Sequence, residues 1–276
     1  MRIFFKRSLE KFLKGNIPFF YKEVLIKILY RIKGINLYRI IQTNPFFIYN
    51  IDDYYLPTES LFWNITKDQL SINNQNIGLK YFNLQKGNGL IDIGAGFGED
   101  LVTYVDLFGE DGHLICIEPL PQAHFALSQL VKFNQYNNVD IYSYALSDKN
   151  EKVFLNSTDD YEATFITKSH KNGTYVDGIR FDALMEKINY KEIDFIKVNI
   201  EGAERFLLED AFVPYFKRIK HLAIACHDFR YSKENNDFFK TKSLVIDFFK
   251  KHNFKIKQQN TGEDWIDDWV YLQFGD

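Results

Sequence analysis

Glycines and acids stand directly after two short apolar runs of this chain. The first run, residues 90–93, carries Asp92 and leads into a glycine-rich turn over residues 94–98. The second run, residues 114–117, ends in Glu118, which lies 24 residues beyond the first glycine of the turn. Glycines let the backbone approach a ligand closely at a helix start. An acid at the tip of the second strand can accept both hydroxyls of a ribose. The pattern therefore predicts a βαβ unit that binds a cofactor containing adenosine.

The residue at the start of the following helix favours one adenosine cofactor over another. The dinucleotide fingerprint has a third glycine three residues after the second, and in this chain that position is Glu99. A carboxylate there would repel a pyrophosphate, but it is tolerated beside a cofactor that carries a sulfonium and an ammonium. The turn therefore favours S-adenosylmethionine over NAD, and an ordinary tight turn in an α/β core stays an alternative.

The elements that must position these residues alternate between apolar runs and amphipathic segments. This alternation is typical of a mostly parallel α/β sheet with helices on its faces, and its last strand can be antiparallel. The predicted strands are 90–93, 114–117, 139–145, 194–199, 221–228, 254–258 and 269–274, and the predicted helices are 99–108, 121–134, 181–188, 204–211 and 243–252.

The bulk composition is that of a soluble globular protein. Of the 276 residues, 46% are hydrophobic and 26% are charged, which are ordinary shares. Cys116 and Cys226 each lie in an apolar run, which favours reduced, buried thiols over a disulfide framework. No apolar run reaches the ~18 residues that a membrane span needs, and the start of the chain lacks the apolar core of a signal peptide. We therefore expect a cytoplasmic protein.

Charge is distributed unevenly along the chain. Residues 1–50 hold ten Lys or Arg and two Glu, which is a net charge of +8. Since the whole chain has a formal net charge of −3, the remainder carries −11. An acidic body repels phosphate, so no nucleic acid is expected as a partner.

The basic segment contains two amphipathic stretches at helical spacing, 2–14 and 18–32, which end near Gly15 and Gly34. One interpretation is a helical hairpin that packs on the rest of the chain, or on a second subunit in a homo-oligomer, through residues 1–34. The other is peripheral docking on an anionic membrane surface, where basic amphipathic helices bind. Docking would hold the protein at the inner face of the membrane, and both interpretations stay open.

Four motifs resemble those of the FkbM family of S-adenosylmethionine-dependent methyltransferases. They are I-D-I-G-A-G-F-G at 91–98, C-I-E-P at 116–119, A-L-S-D at 145–148 and, the most specific, D-F-I-K-V-N-I-E-G-A-E at 194–204. The resemblance implies the class I (Rossmann-like) methyltransferase fold, with a seven-stranded, mostly parallel sheet and an antiparallel last strand. It also implies S-adenosylmethionine as donor and O-methylation of a hydroxyl on a sugar, a glycan or a small natural product, as in polysaccharide biosynthesis.

The resemblance also suggests a division of the chain and a set of cofactor-binding residues. We expect a basic helical segment (1–50) and a methyltransferase domain (51–276) that begins with a small cap (51–88). Residues 146–148, at the tip of the third strand, would lie beside the adenine. The residues expected to bind the cofactor are Asp92, Gly94, Ala95, Gly96, Phe97, Gly98, Glu118, Pro119, Ala145, Leu146 and Asn199.

Two positions depart from the family pattern. Asn199 replaces an Asp, and Ala225 replaces a Glu two residues before His227. A carboxylate at the first position could help a base or hold a cation, whereas an amide can only position a ligand. Either the chemistry depends on Glu201 and His227, or the chain is a non-catalytic binding protein with this fold. A third possible function, that of a NAD-type oxidoreductase, is disfavoured by Glu99 and by the E-G-A-E run.

His227 and Glu201 are the candidate catalytic residues. Methyl transfer is an in-line displacement that needs alignment of the two reactants and removal of a proton. A neutral His227 at the carboxyl end of a strand has the resting pKa of a base. Glu201 follows a neighbouring strand, where ligands bind in open α/β sheets. The structural alternatives are that His227 is only a hydrogen-bonded residue at a strand end and that Glu201 is an acid at a helix start. The helix-start role is expected for Glu204. Lys197 is expected to pair with a core carboxylate, and no ligand spacing predicts a metal.

Overall fold

The computed structural model of the protein describes residues 9, 11–61, 65–156, 164–167, 173–190 and 192–275. The strands in these ranges are β1 (Leu37–Gln42), β2 (Phe47–Ile51), β3 (Tyr54–Thr58), β4 (Gly89–Ile93), β5 (His113–Ile117), β6 (Val139–Tyr142), β7 (Ala145–Leu146), β8 (Lys152–Asn156), β9 (Ile166–Thr167), β10 (Gly173–Ile179), β11 (Ile193–Val198), β12 (Ile219–Ala225), β13 (Lys255–Gln258) and β14 (Trp269–Gln273). The helices are α1 (Phe19–Ile32), α2 (Lys67–Asn76), α3 (Leu101–Phe108), α4 (Pro121–Asn134), α5 (Phe181–Ile188), α6 (Asp228–Glu234), α7 (Lys242–Lys251) and α8 (Asp264–Asp267).

The central sheet has seven strands in the order β13-β14-β12-β11-β4-β5-β6. Its strands are parallel except for β14, which pairs antiparallel with both of its neighbours. All five residues of β4 are buried, because apolar clusters cover both faces of the sheet. Leu90 packs in a cluster with α3, and Ile91 packs in another with α5 and α7. The predicted parallel sheet with an antiparallel last strand is confirmed.

The register of the sheet brings the carboxyl ends of four strands to one edge. Ile93 of β4 lies opposite Val198 of β11 and Ile117 of β5, and Val198 lies opposite Ile224 of β12. The residues that follow these strands therefore meet at that edge, which is where ligands bind in open α/β sheets. This edge includes the glycine turn.

Two smaller sheets flank the central one. The four-stranded sheet has the order β7-β10-β8-β9, so Ala145 and Leu146 leave the central sheet instead of ending its third strand as predicted. The amino-terminal sheet, β1-β2-β3, is antiparallel and packs against α1. The segment 1–50 was expected to be helical, but its described residues are helical only at 9, 11–14 and 19–32. Residues 2–8 and 10 of the first predicted helix lie outside the described residues.

Two elements near the carboxyl edge differ from the sequence prediction. The predicted helix 204–211 is wrong, because this stretch forms 3₁₀ turns at Ala203–Leu207 and Asp210–Arg218. The Glu204 carboxylate binds backbone N–H groups of the preceding turn, and Pro214 lacks the N–H that an α-helix needs. The predicted strand 221–228 ends at Ala225, since α6, which the sequence analysis missed, begins three residues later.

Candidate functional site

The turn between β4 and α3 follows a backbone path that glycine adopts most easily. Gly94, Gly96 and Gly98 have φ angles of 85°, 56° and 97°, in the left-handed region that other residues avoid. A Cβ atom on Gly94 would lie 2.0 Å from the carbonyl oxygen of Asn199. The ends of β4 and β11 are therefore in direct backbone contact, and a side chain at residue 94 would force them apart.

Glu118 lies at the end of β5 and faces this turn. Its carboxylate accepts hydrogen bonds from the backbone N–H groups of Gly96, at 2.9 Å, and Leu120, at 2.8 Å. Burial raises the pKa of Glu118 to about 7, although the two backbone donors act in the opposite direction. Because a carboxylate offers about four acceptor positions, two remain for the hydroxyls of a ligand.

Lys197 lies in the middle of a buried ion-pair cluster beneath the turn. Its Nζ atom is 2.6 Å from Oδ2 of Asp100 and 3.1 Å from Oδ1 of Asp92, so the predicted pairing with a core carboxylate is confirmed. Burial raises the pKa of Asp92 to about 6 despite the lysine. Burial alone would lower the pKa of Lys197, but Asp100 and Asp92 outweigh it and raise that pKa. The lysine thus stays charged and links the first strand of the βαβ unit to its helix.

His227 lies between two glutamates just beyond β12. Its Nε2 is 3.0 Å from Oε1 of Glu201. Its Nδ1 is 2.9 Å from Oε1 of Glu204, as an ion-pair contact without the alignment of a hydrogen bond. Burial lowers the pKa of His227, but the two carboxylates outweigh burial and raise it to about 10. The ring is therefore protonated at neutral pH, which differs from the neutral base expected from the sequence.

Glu204 is a structural acid. One of its oxygens accepts hydrogen bonds from the backbone N–H groups of Ile200, at 3.3 Å, and Gly202, at 3.2 Å. The other oxygen accepts the hydroxyl hydrogen of Thr241 at 3.2 Å. The side chain is fully buried. The α-helix that Glu204 was expected to cap does not form, and its carboxylate instead binds the turn that precedes a 3₁₀ helix.

Glu201 is held differently, between two cations. Its backbone has a φ angle of 53°, and its Oε2 accepts a hydrogen bond from Nη1 of Arg230 at 2.5 Å. The guanidinium of Arg230 lies 3.9 Å from the centre of the Phe239 ring and is also paired with Glu234. Arg230 and His227 therefore fix the Glu201 carboxylate at the carboxyl edge of the sheet.

A cavity of about 320 Å³ lies along this edge, within the size range of small-molecule sites. We call the part formed by residues 94–97 and Glu118 the glycine-turn end, and the part formed by His227 and Glu201 the histidine end. Two of the predicted site residues, Asp92 and Gly98, do not line the cavity. Those that do are Gly94, Ala95, Gly96, Phe97, Glu118, Pro119, Ala145, Leu146, Asn199, Glu201 and His227.

Aromatic side chains that the sequence analysis did not single out complete the lining. Phe165, Phe229, Trp265 and Trp269 all face the cavity, and Trp265 is 48% exposed. The spacing of Trp265 and Trp269 could have indicated them, because two of the three tryptophans of the chain lie four residues apart. Phe165 lies in a segment, 164–167, that the sequence predicts as a possible hairpin strand, but nothing there points to the cavity, and Phe229 lies on α6, which was not predicted.

Neither a metal centre nor a membrane span is found in the described part of the chain. No group of three or more His, Cys, Asp or Glu side chains there could hold a metal ion. Among the helices of those ranges, none is long and apolar enough to cross a bilayer. Both cysteines, Cys116 and Cys226, are free and buried, as predicted.

The strand order, the glycine turn and the acid after β5 together define a class I methyltransferase, whose methyl donor is S-adenosylmethionine. The chain belongs to the FkbM methyltransferase family, because the model of the methyltransferase FkbM domain matches residues 92–256. No curated protein sequence gives a significant match.

Solved structures of S-adenosylmethionine-dependent enzymes are similar at low identity. The fibrillarin of Aeropyrum pernix, solved with natively bound S-adenosyl-L-methionine, is 10% identical, with a TM-score of 0.43 over 86% of this chain and 98% of that chain. A SAM-dependent methyltransferase from Aquifex aeolicus is 15% identical, with a TM-score of 0.41 over 76% and 97%. An rRNA methylase from Streptococcus thermophilus is 12% identical, with a TM-score of 0.40 over 75% and 92%.

Proposed function

We propose that this methyltransferase acts on a hydroxyl of a sugar, a glycan or a small natural product. The observation that carries the proposal is the position of the His227–Glu201 pair. The pair opens into the same cavity as the glycine turn, so a methyl donor and a hydroxyl acceptor can meet there. Localisation in the cytoplasm is part of the proposal.

The residues at the glycine-turn end fit S-adenosylmethionine, which supplies a methyl group on a cationic sulfur. The absence of a Cβ at Gly94 leaves the two strand ends in contact, and Gly94 and Gly96 present backbone to the cavity. The two acceptor positions left on Glu118 would take the ribose hydroxyls, and Leu146 of β7 would face the adenine. The Asn199 amide would position the ammonium of the methionine part.

The histidine end fits a polar acceptor with flat apolar faces. Trp265 and Phe229 line the cavity, and the ring centres of Phe229 and His227 are 5.8 Å apart. Ligand sites commonly combine aromatic walls with a few polar groups that set orientation. The C–H faces of a sugar ring or of a cyclic natural product would pack on these rings, while its hydroxyls bind the charged groups.

Glu201, and not His227, is the group that would take the proton of the acceptor hydroxyl. The ring of His227 already carries a proton on each nitrogen, because its pKa is raised to about 10. S-adenosylmethionine, when bound, would supply the methyl group and keep the electron pair of the broken C–S bond on its sulfur. The hydroxyl proton then passes to the Glu201 carboxylate, which His227 and Arg230 hold in place.

The second candidate is a non-catalytic binding protein with the same fold, and two observations favour it. Asn199 and Ala225 both line the cavity, so neither of these strand ends supplies the carboxylate that the family pattern has. The substitution Asn199→Asp separates the candidates. If the natural protein is an enzyme adapted to the amide, the variant should have lower or unchanged methyl-transfer activity. If only the variant transfers a methyl group, the natural protein is a non-catalytic binding protein.

Mass spectrometry tests the proposed reaction directly. The purified protein is incubated with S-adenosylmethionine and a panel of glycans and hydroxylated natural products, and the products are fragmented. We expect the mass gain of one methylene group, with the new methyl on oxygen. A methyl found only on nitrogen or carbon would refute O-methylation, and cofactor binding without transfer to any member of the panel would favour the non-catalytic candidate.

A further inference from the structure

Helix α1 carries two apolar stripes, and the inner one fixes it to the amino-terminal sheet. Ile26 and Tyr30 are buried. The Tyr30 hydroxyl accepts a hydrogen bond from the backbone N–H of Ile65 at 2.9 Å. The Glu23 carboxylate accepts one from the backbone N–H of Ile40 at 3.1 Å. These contacts determine which side of α1 faces the protein.

The outer stripe consists of Phe20, Val24, Ile28 and Ile32. These residues recur every four positions, so they lie on the same side of the helix. Their side chains are 66%, 39%, 52% and 77% exposed, respectively. Tyr21 beside them is 59% exposed. A contiguous apolar surface of this kind marks an interaction site, whereas single exposed apolar residues are ordinary.

The segment that contains the outer stripe is strongly basic. Residues 11–50 contain seven Lys or Arg and a single acid, Glu23. This acid is already engaged, because its Oε1 lies 2.9 Å from Nζ of Lys27 and it also binds the backbone of β1. The exposed basic residues of this segment are Lys11, Lys14, Arg31, Lys33 and Arg39.

We propose that the outer stripe docks on the surface of an anionic lipid bilayer. Helices with one apolar and one basic surface lie in the bilayer interface, with the apolar side chains at the boundary between headgroups and acyl chains. Each Lys or Arg near an anionic leaflet contributes about 1 kcal/mol of attraction. Two outer stripes from two copies of the chain would bring like charges together, so the charge favours lipid over self-association. The proposal does not depend on the acceptor of the methyl group.

Sedimentation of the full-length protein with lipid vesicles tests the proposal. The double variant Ile28→Ser/Ile32→Ser removes half of the outer stripe without touching the buried stripe. Its matched control is Ile72→Ser, which changes an isoleucine on α2 that is 51% exposed. We expect binding of the natural protein to vesicles that contain phosphatidylserine and little binding to pure phosphatidylcholine. The double variant should bind about tenfold more weakly, and the control should bind normally.

Charge reversal provides the second arm of the experiment. Arg31→Glu/Lys33→Glu should reduce binding to anionic vesicles, and added salt should reduce binding of the natural protein in the same way. The control Lys250→Glu/Lys251→Glu makes the same change on two exposed lysines of α7. Its binding should be close to that of the natural protein.

Three results would overturn the proposal. The first is no binding of the natural protein to anionic vesicles. The second is equal binding of the outer-stripe variant and the Ile72→Ser control when both have native circular dichroism. The third is a dimer in light scattering that Ile28→Ser/Ile32→Ser dissociates, without vesicle binding, since that would assign the outer stripe to a second copy of the chain.

Discussion

The glycine-turn end and the histidine end of the cavity differ in what forms them. The glycine-turn end is formed mostly by backbone atoms and by one carboxylate, that of Glu118. This carboxylate accepts hydrogen bonds from two backbone N–H groups. At the histidine end, His227, Glu201 and Glu204 come from the ends of two strands and depend on side-chain charge. We infer that the first end binds the donor and the second acts on the acceptor.

This difference suggests how substitutions at the two ends should behave. A change at the glycine-turn end should weaken cofactor binding, because the backbone there forms the donor site. A change at the histidine end should reduce turnover and leave cofactor binding nearly intact.

The largest effect is expected from His227→Ala. The substitution removes the cation that positions Glu201, so kcat with an identified acceptor should fall by about 10²–10⁴-fold. The affinity for S-adenosylmethionine should change little, because His227 acts through Glu201, at the end of the cavity assigned to the acceptor. Steady-state kinetics and calorimetry on the same preparation measure both quantities.

The matched control for this prediction is His221→Ala, which changes a histidine at the opposite end of the same strand, away from the cavity. Its kcat should stay near that of the natural protein. Circular dichroism is needed for His227→Ala, since the buried Glu204 and the half-buried Glu201 both lose a cationic partner. An equal loss of turnover in both variants would mean that His227 has only a structural role.

A glycine pair tests the donor end. Gly94→Ala adds a methyl group where the Asn199 carbonyl oxygen is 2.0 Å away, so we expect at least about tenfold weaker binding of S-adenosylmethionine. Strain at a non-glycine residue with positive φ is about 1–3 kcal/mol. Gly87 has a similar φ of 81° with nothing within 4 Å. Gly87→Ala should therefore show the strain alone, as lower stability with unchanged affinity in calorimetry. Equal affinities in the two variants would contradict close packing at the turn.

The pH dependence of stability tests the charge at the histidine end. The folded pKa of His227 is raised from 6.5 to about 10, so its protonated form stabilises the folded state. That contribution is complete below the unfolded pKa and is lost as the pH rises through about 10. We expect urea unfolding to show a loss on the order of a few kcal/mol across this window. His227→Gln should lose less over the same window, and an identical loss would show that another group is responsible.

The two ends also differ in how far the sequence could predict them. The glycine turn and Glu118 are readable because glycine spacing and a strand-end acid act locally. The pairing of His227 with Glu204 was not predicted, because it depends on how β11 and β12 lie in the sheet. Contacts between distant elements also determine that Ala145 enters a second sheet. They determine as well which of the two apolar stripes of α1 is packed, which the sequence of α1 alone does not indicate.

Calorimetry with S-adenosylmethionine on Glu118→Ala and Glu201→Gln tests the division of the cavity most directly. Hydrogen bonds to a charged group are worth about 1.5–3 kcal/mol. Glu118→Ala should therefore raise Kd by about 10–100-fold, and Glu201→Gln should leave Kd within about twofold. NAD should give no binding heat with the natural protein. A similar loss of affinity in both variants, or no loss in Glu118→Ala, would contradict the assignment of donor and acceptor to opposite ends.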